Sequence, residues 1–196
     1  MLRQLASVAR QRSAAISSFA QRRPRVFGGT VAGTMGSFGD VCAQRIGHSA
    51  EPEQEHRIEA KRVFAMGSFC SSFAAFVYVP FYRALDAYLG SGRTLMLVLQ
   101  KTAVNQLALS PFVDLPVYFA WSSFLDGDQD PVGRFKREYW DTLLGTWAVW
   151  VPVCFLNFSL VPLHFRVSVA YTAEFIWACV ISYLSHRGDR EAPRDV

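Results

Sequence analysis

Two long stretches without charged side chains constrain this chain most. Val63–Tyr82 holds 20 consecutive residues without Asp, Glu, Lys or Arg, and Thr142–Phe165 holds 24. A helix of about 20 mostly apolar residues crosses the roughly 30 Å hydrocarbon core of a bilayer, whereas a soluble helix of that length carries a charged stripe on one face. Because only 18% of all residues are charged, below the roughly 25% typical of soluble domains, the sequence predicts an integral membrane protein.

The first 39 residues are basic, with six arginines and no acidic residue before Asp40. Arginines interleaved with apolar residues are typical of a mitochondrial transit segment, and an uncleaved basic flank of a membrane helix has the same pattern. Residues 1–22 are therefore predicted to be a basic extension or transit segment. Nucleic-acid binding would need a basic face that continues through the fold, and the rest of the chain carries a net charge of about −2, so no nucleic-acid partner is predicted.

An all-α membrane bundle is predicted for residues 23–187, followed by a charged tail at 188–196. The apolar segments cover residues 26–46, 60–89, 94–125, 139–161 and 167–185. Loops are predicted at residues 47–59, 86–93 and 126–137. The bias of Lys and Arg between the two sides favours four spans plus a C-terminal apolar helix that lies along the bundle, and five spans remain the alternative.

Prolines are predicted to bend or interrupt these segments, because proline lacks a backbone N–H and its ring clashes with the preceding helical turn. Pro80, Pro111 and Pro162 are the predicted bends, and Pro116 is a second break in the third segment. Inside a membrane the freed backbone carbonyls have to be covered by neighbouring helices.

No catalytic or metal site is predicted. The four cysteines, Cys42, Cys70, Cys154 and Cys179, are unclustered and lie in apolar segments, which indicates buried free thiols. The histidines have no metal-like spacing, and the chain has no phosphate-binding, hydrolase or zinc-protease motif. Residues 126–130 begin like a calcium loop, but Pro131 and Arg137 stand where that loop needs Gly and Glu. The chain is therefore not expected to be an enzyme or to hold a cofactor.

The candidate functional residues are polar side chains inside apolar segments, where they are costly and are by default functional hypotheses. They are Asp40, Gln44, Lys101, Asn105, Gln106, Asp114, Asn157 and Glu174. Two interpretations compete. The residues line a polar path through the bundle, or they hydrogen-bond helices together, with Lys101 paired with Asp40 or Glu174.

An ordered set of residues resembles the peroxisomal membrane protein 22 kDa family (the Mpv family), as a mitochondrial-type member. The similarity extends over about residues 19–187. The residues that carry it are Gly39, Asp40, Gln44, Pro80, Tyr82, Leu85, Asp86, Lys101, Gln106, Pro111, Trp150, Asn157, Phe158, Pro162 and Arg166.

Two departures from that family pattern alter polar positions. The family has Trp-Pro with Gln three residues after the Pro, whereas here Val151 follows Trp150, Pro152 comes one place late and Cys154 stands at the Gln position. The family's Asp-Gln pair in the third helix reads Asn105-Gln106.

The resemblance implies a small helical protein, usually of four spans, in the mitochondrial inner or the peroxisomal membrane. Some members of the family are described as weakly selective, voltage- or redox-responsive channels for small solutes. Others have been linked to mitochondrial DNA maintenance or ribosome assembly.

Two functions therefore remain open from the sequence. The first is a weakly selective small-solute channel of the mitochondrial inner membrane. The Asp40/Gln44 pair, which is intact, favours this function. The second is a non-conducting structural subunit or assembly factor of a larger mitochondrial membrane complex, which the altered polar positions favour. The expected partners are the lipid bilayer and either other subunits of such a complex or further copies of the chain.

Overall fold

A computed structural model describes residues 1–48 and 58–191, and within these ranges every regular element is a helix. Most of the predicted loop at 47–59 and the last residues of the predicted tail lie outside the described residues. The elements are α1 (Leu2–Arg22), α2 (Pro24–His48), α3 (Ala60–Leu89), α4 (residues 95–126), α5 (Pro131–Leu160), a 3-10 turn (Leu163–Phe165) and α6 (Arg166–Glu191).

Two helices are long and apolar enough to cross a membrane. They are α3 and α5, each of 30 residues, with mean hydropathy of 1.5 and 1.6 in their most apolar windows. The first charge-free stretch lies wholly within α3, and the second lies within α5 up to Leu160 and continues through the 3-10 turn. The predicted class, an all-α membrane protein, is confirmed. No other helix in the described part of the chain meets the same criteria, so four spans plus a C-terminal helix stays a prediction.

The chain folds as two compact units, Met1–Tyr82 with Leu163–Val196, and Arg83–Pro162. In the first unit α2 packs against α3 and α6, and glycines allow the close approach of α2 to α3. A Cβ atom on Gly33 would lie 3.0 Å from the carbonyl oxygen of Gly67, and one on Gly36 would lie 2.6 Å from Cys70 Sγ. These distances show that α2 and α3 pack closely at their small residues, as is common between membrane helices.

In the second unit α4 packs against α5. Its core is formed by Leu115, Phe119 and Leu143, and three aromatic side chains of α5 pack against it: Phe135, Tyr139 and Trp147. The rings of Phe119 and Phe135 meet edge to face with centroids 5.4 Å apart, a favoured aromatic geometry.

The predicted loop at 126–137 is shorter than expected, because α5 begins at Pro131. Asp130 caps the helix: its Oδ1 accepts the Gly133 N–H at 2.9 Å, a strongly preferred arrangement at a helix start. This hydrogen bond, with Arg137 beside it, lowers the pKa of Asp130. Pro131 follows at the first helical position, which suits the fixed φ of proline. The predicted start at residue 139 is therefore wrong by about two turns.

Four prolines lie inside continuous helices: Pro80 in α3, Pro111 and Pro116 in α4, and Pro152 in α5. Pro80 follows a π-helical turn, Ala74–Tyr78, and Pro111 lies in a longer π-helical stretch, Asn105–Asp114. The predicted break of the third segment at Pro111 and Pro116 is wrong, because the wider π turns keep the chain helical. Pro162 does interrupt the chain, between the end of α5 and the 3-10 turn. The turn predicted at 86–93 also starts later, since α3 runs to Leu89.

Candidate functional site

The first group of predicted polar residues joins α2 to the start of α3. Asp40, whose side chain is 1% exposed, accepts hydrogen bonds on both carboxylate oxygens, from Gln44 Nε2 at 2.7 Å and from Arg62 Nε at 3.0 Å. Gln44 Oε1 in turn accepts the backbone N–H of Glu59 at 2.8 Å, just before α3. We call these four residues the α2–α3 clamp. Its geometry is that of a helix-to-helix connection.

We expect Asp40→Asn to lower the free energy of unfolding by about 1 kcal/mol, the scale of one hydrogen bond. Both oxygens of Asp40 face donors, so the NH2 group of Asn meets a donor whichever way the amide turns. The half-exposed Arg62 side chain keeps the loss modest because water screens it. The check is a denaturant titration in detergent, with the exposed Asp141→Asn as control. Equal stability of the two variants would contradict a clamp.

The second group contains a buried ion pair in the second unit. Lys101 Nζ lies 2.6 Å from Asp86 Oδ1, and their side chains are 1% and 8% exposed. The predicted pairing of Lys101 with Asp40 or Glu174 is therefore wrong. The sequence predicts a turn at Asp86, whereas α3 extends past this residue and presents its carboxylate to α4.

Asn105 and Gln106, which follow Lys101 on α4, form a cluster with the thiol of Cys154 on α5. We call these three residues the amide cluster. Gln106 Nε2 donates to Asn105 Oδ1 at 2.8 Å and lies 3.1 Å from Cys154 Sγ. The Cys154 thiol donates to Asn105 Oδ1 at 3.3 Å. All three residues are at most 6% exposed. Cys154, at the position of the family's Gln, thus joins α5 to the Asn-Gln pair of α4.

Part of the hydrogen-bonding capacity on this face of α4 is unused. Asn105 Nδ2, Gln106 Oε1 and Thr102 Oγ1 are buried without a hydrogen-bond partner. Residues three and four apart lie on one helical face, so these atoms belong to the same side of α4. Buried polar groups are normally hydrogen-bonded, which makes this face the strongest candidate for contact with water or a small polar solute.

The π-helical stretch of α4 is completed by aromatic donors from α5. In a π helix the backbone N–H of residue i+5 donates to the carbonyl of residue i. The donors for the carbonyls of Gln106 and Pro111 would be Pro111 and Pro116, but proline has no N–H. Trp147 Nε1 donates to the Gln106 carbonyl at 2.8 Å, and Tyr139 Oη donates to the Pro111 carbonyl at 3.0 Å. Both carbonyls freed by proline are thereby satisfied, as the sequence-based argument requires.

Trp147→Phe is expected to lower the free energy of unfolding by about 1 kcal/mol, because the Gln106 carbonyl loses its donor while the apolar ring is retained. Trp140→Phe on the same helix is the control, since Trp140 is 67% exposed. The measurement is unfolding in detergent followed by circular dichroism. If Trp140→Phe cost as much as Trp147→Phe, the indole hydrogen bond would have no measurable role.

The remaining predicted residues differ in exposure. Asn157 and the motif residues Tyr82, Phe158 and Arg166 are buried, Trp150 and Gly39 are half-buried, and Glu174 is exposed. Glu174 therefore lies on the surface of the first unit. Within residues 1–48 and 58–191 no group of three His, Cys, Asp or Glu side chains could hold a metal ion.

The partners Arg62, Asp86, Tyr139 and Trp147 are not predicted by the sequence analysis. Arg62 and Asp86 fall near the ends of a predicted segment. A charge there is expected to be in contact with water, so the sequence gives no reason to look for a partner. A signal for the aromatic pair is present, because Gln106, Pro111 and Pro116 follow one another at intervals of five residues. That interval predicts two orphan carbonyls in a π helix, and the Trp and Tyr donors are the side chains able to reach them.

These features define a small helical membrane protein whose polar side chains connect helices within each unit. The Mpv17 / PMP22 family model matches residues 123–182. The chain is 30% identical over 158 residues to the mitochondrial inner membrane protein Mpv17 of Homo sapiens, covering 80% of this chain and 87% of that protein. It therefore belongs to the Mpv17 / PMP22 family, which confirms the predicted resemblance.

Two further relatives are similar to most of the chain. Protein SYM1 of Saccharomyces cerevisiae is 28% identical over 186 residues, with 89% of each chain covered. PXMP2/4 family protein 2 of Dictyostelium discoideum is 26% identical over 155 residues, which is 77% of this chain and 79% of that protein. The predicted location, the mitochondrial inner membrane, is confirmed by the relatives that carry it in their names. No solved structure matches the chain.

Proposed function

We propose that this protein is a non-conducting structural subunit or assembly factor of a larger complex in the mitochondrial inner membrane. The observation that supports the proposal is how the polar residues are used. Asp40 and Gln44 are engaged in the α2–α3 clamp, and Lys101 is neutralised by Asp86. Side chains that hold helices together are not free to line a hydrated path. Their structural role explains their presence in apolar segments without ion transport.

A weakly selective channel for small solutes is the second candidate. It is favoured by the unpaired atoms of the amide cluster, Asn105 Nδ2 and Gln106 Oε1. A path built on them would differ from the family pattern, because Asn105 and Cys154 replace an acid and an amide. Loss of an acidic side chain removes a charge that attracts cations, and a thiol is only a weak hydrogen-bonding group. These changes support a path that does not conduct.

Native electrophoresis distinguishes the two candidates. Tagged protein at its normal level is extracted from mitochondria with mild detergent, and whatever co-migrates is identified by mass spectrometry. We expect stoichiometric migration with a larger membrane assembly. Migration as a single 22.0 kDa chain or a small multiple of it, with no other protein, would contradict the proposal.

Conductance recordings from planar bilayers are the second test of the proposal. Purified protein is expected to give no conductance above protein-free bilayers. The variant Asn105→Asp with Cys154→Gln restores both polar positions of the family pattern. Gln129→Glu with Cys179→Gln is a matched control, because it also adds one acidic group and replaces one thiol by an amide, outside the amide cluster. Conductance of the unaltered chain that is abolished by Asn105→Leu would favour the channel. Conductance gained only by the restored variant would support a pore-like fold that has lost its lining.

A further inference from the structure

The N-terminal helix α1 is attached to the first unit through its last turns. Ser17 Oγ and His164 Nε2 are joined by a hydrogen bond of 3.0 Å, and Ala20 is completely buried. The ring of Phe19 meets Phe27 edge to face at 6.4 Å. Burial lowers the pKa of His164. The end of α1 is therefore a packed part of the fold.

The preceding part of α1 lies on the surface. Every side chain from Ser7 to Ile16 is exposed. Val8, Ile16 and Phe19 are 46%, 50% and 48% exposed, and at 100° per residue they fall within about 80° of one another on the helix. These three large apolar side chains thus form a strip along α1, which we call the α1 strip.

Arginines lie on the same side of the helix as the α1 strip. Arg12 and Arg22 lie about 40° to either side of Val8 on the helical projection, and the chain has no acidic residue before Asp40. An amphipathic helix that combines basic residues with a narrow apolar strip lies in the interface of a membrane. The long stems of arginine let the guanidinium reach the phosphate level while the helix stays at the boundary.

We propose that α1 remains on the mature protein and lies on the surface of an anionic phospholipid bilayer, with the α1 strip inserted among the headgroups and Arg12 and Arg22 paired with phosphates. The packing of Ser17 and Ala20 supports retention, because removal of residues 1–22 would expose His164 and the contact surface of α2. This proposal does not depend on whether the bundle conducts.

Lipid photo-crosslinking tests the proposal in the full chain. A benzoylphenylalanine residue is placed at Ile16, within the α1 strip, or at Ala14, which is also exposed but points about 160° away from Ile16. Each protein is reconstituted in phosphatidylcholine vesicles with or without phosphatidylglycerol, and lipid adducts are counted by intact-mass spectrometry. We expect adducts at position 16 to exceed those at 14, and to increase when phosphatidylglycerol is present.

The arginine contribution is tested with Arg12→Gln and Arg22→Gln. A basic residue near an anionic membrane surface contributes about 1 kcal/mol, which corresponds to about a fivefold loss of the phosphatidylglycerol-dependent adducts for each change. Equal adducts at positions 14 and 16 would overturn the proposal, and so would adducts to protein at position 16. A mature chain that begins after Arg22, seen by intact mass of protein from mitochondria, would also overturn it.

Discussion

Lys101→Met is expected to lower the free energy of unfolding by about 3–5 kcal/mol, the cost of leaving one member of a buried ion pair without its partner. Asp86 is 8% exposed at its side chain and lies 2.6 Å from Lys101, so its charge would remain in a site with little access to water. The effect is measured by denaturant titration in detergent. Lys136→Met, which alters an exposed lysine on α5, is expected to be close to neutral.

The double variant Lys101→Met with Asp86→Asn separates charge from packing. Removing both charges eliminates the buried carboxylate that has lost its lysine, and replacement of a buried pair by uncharged groups of similar volume is often nearly neutral. We expect the double variant to recover most of the stability lost by Lys101→Met. A double variant as unstable as the single one would mean that Lys101 is required for its shape or for other contacts, and that Asp86 is not its principal partner.

The ion pair also shows what the sequence could not predict. The sequence marks Lys101 as a costly charge in an apolar segment, but it offers as partners only the other charges predicted to be inside the membrane. Asp86 is not among them, because Gly90 and Gly92 indicate a turn that is predicted to begin at residue 86, inside the segment that ends at residue 89. A partner's identity depends on where helix ends fall, and helix ends are the least certain feature of a sequence-based assignment.

The membrane class and the helical segments, by contrast, follow directly from the sequence. The first charge-free stretch and most of the second lie in α3 and α5, because burial in lipid leaves no side of the helix for charges. The prolines are recognisable as special positions, but the predicted effect of Pro111 and Pro116 is wrong. Whether a proline breaks a helix or is absorbed by a π turn depends on donors such as Trp147 and Tyr139 from another helix, and helix packing decides that.

Gly36→Ala is expected to destabilise the first unit by about 1–3 kcal/mol, the typical cost of overpacking. The added Cβ would lie 2.6 Å from Cys70 Sγ and 2.9 Å from Cys70 Cβ, closer than van der Waals contact allows. Gly145→Ala is the matched control, because nothing lies within 4 Å of its Cβ position. That control is expected to stabilise its helix by about 0.5–1 kcal/mol. Both are measured as thermal unfolding in detergent.

A second change at the facing position tests the cause. Cys70→Gly removes both atoms that the added methyl group at position 36 would contact. In the double variant the glycine of this contact is therefore on α3 instead of α2. Glycine inside a helix costs about 1 kcal/mol relative to alanine, while position 36 gains a similar amount. We therefore expect the double variant to be more stable than Gly36→Ala alone, although Cys70→Gly by itself is destabilising. Simple addition of the two losses would show that α2 and α3 do not meet at this pair, and the close helix packing derived from the glycines would then be wrong.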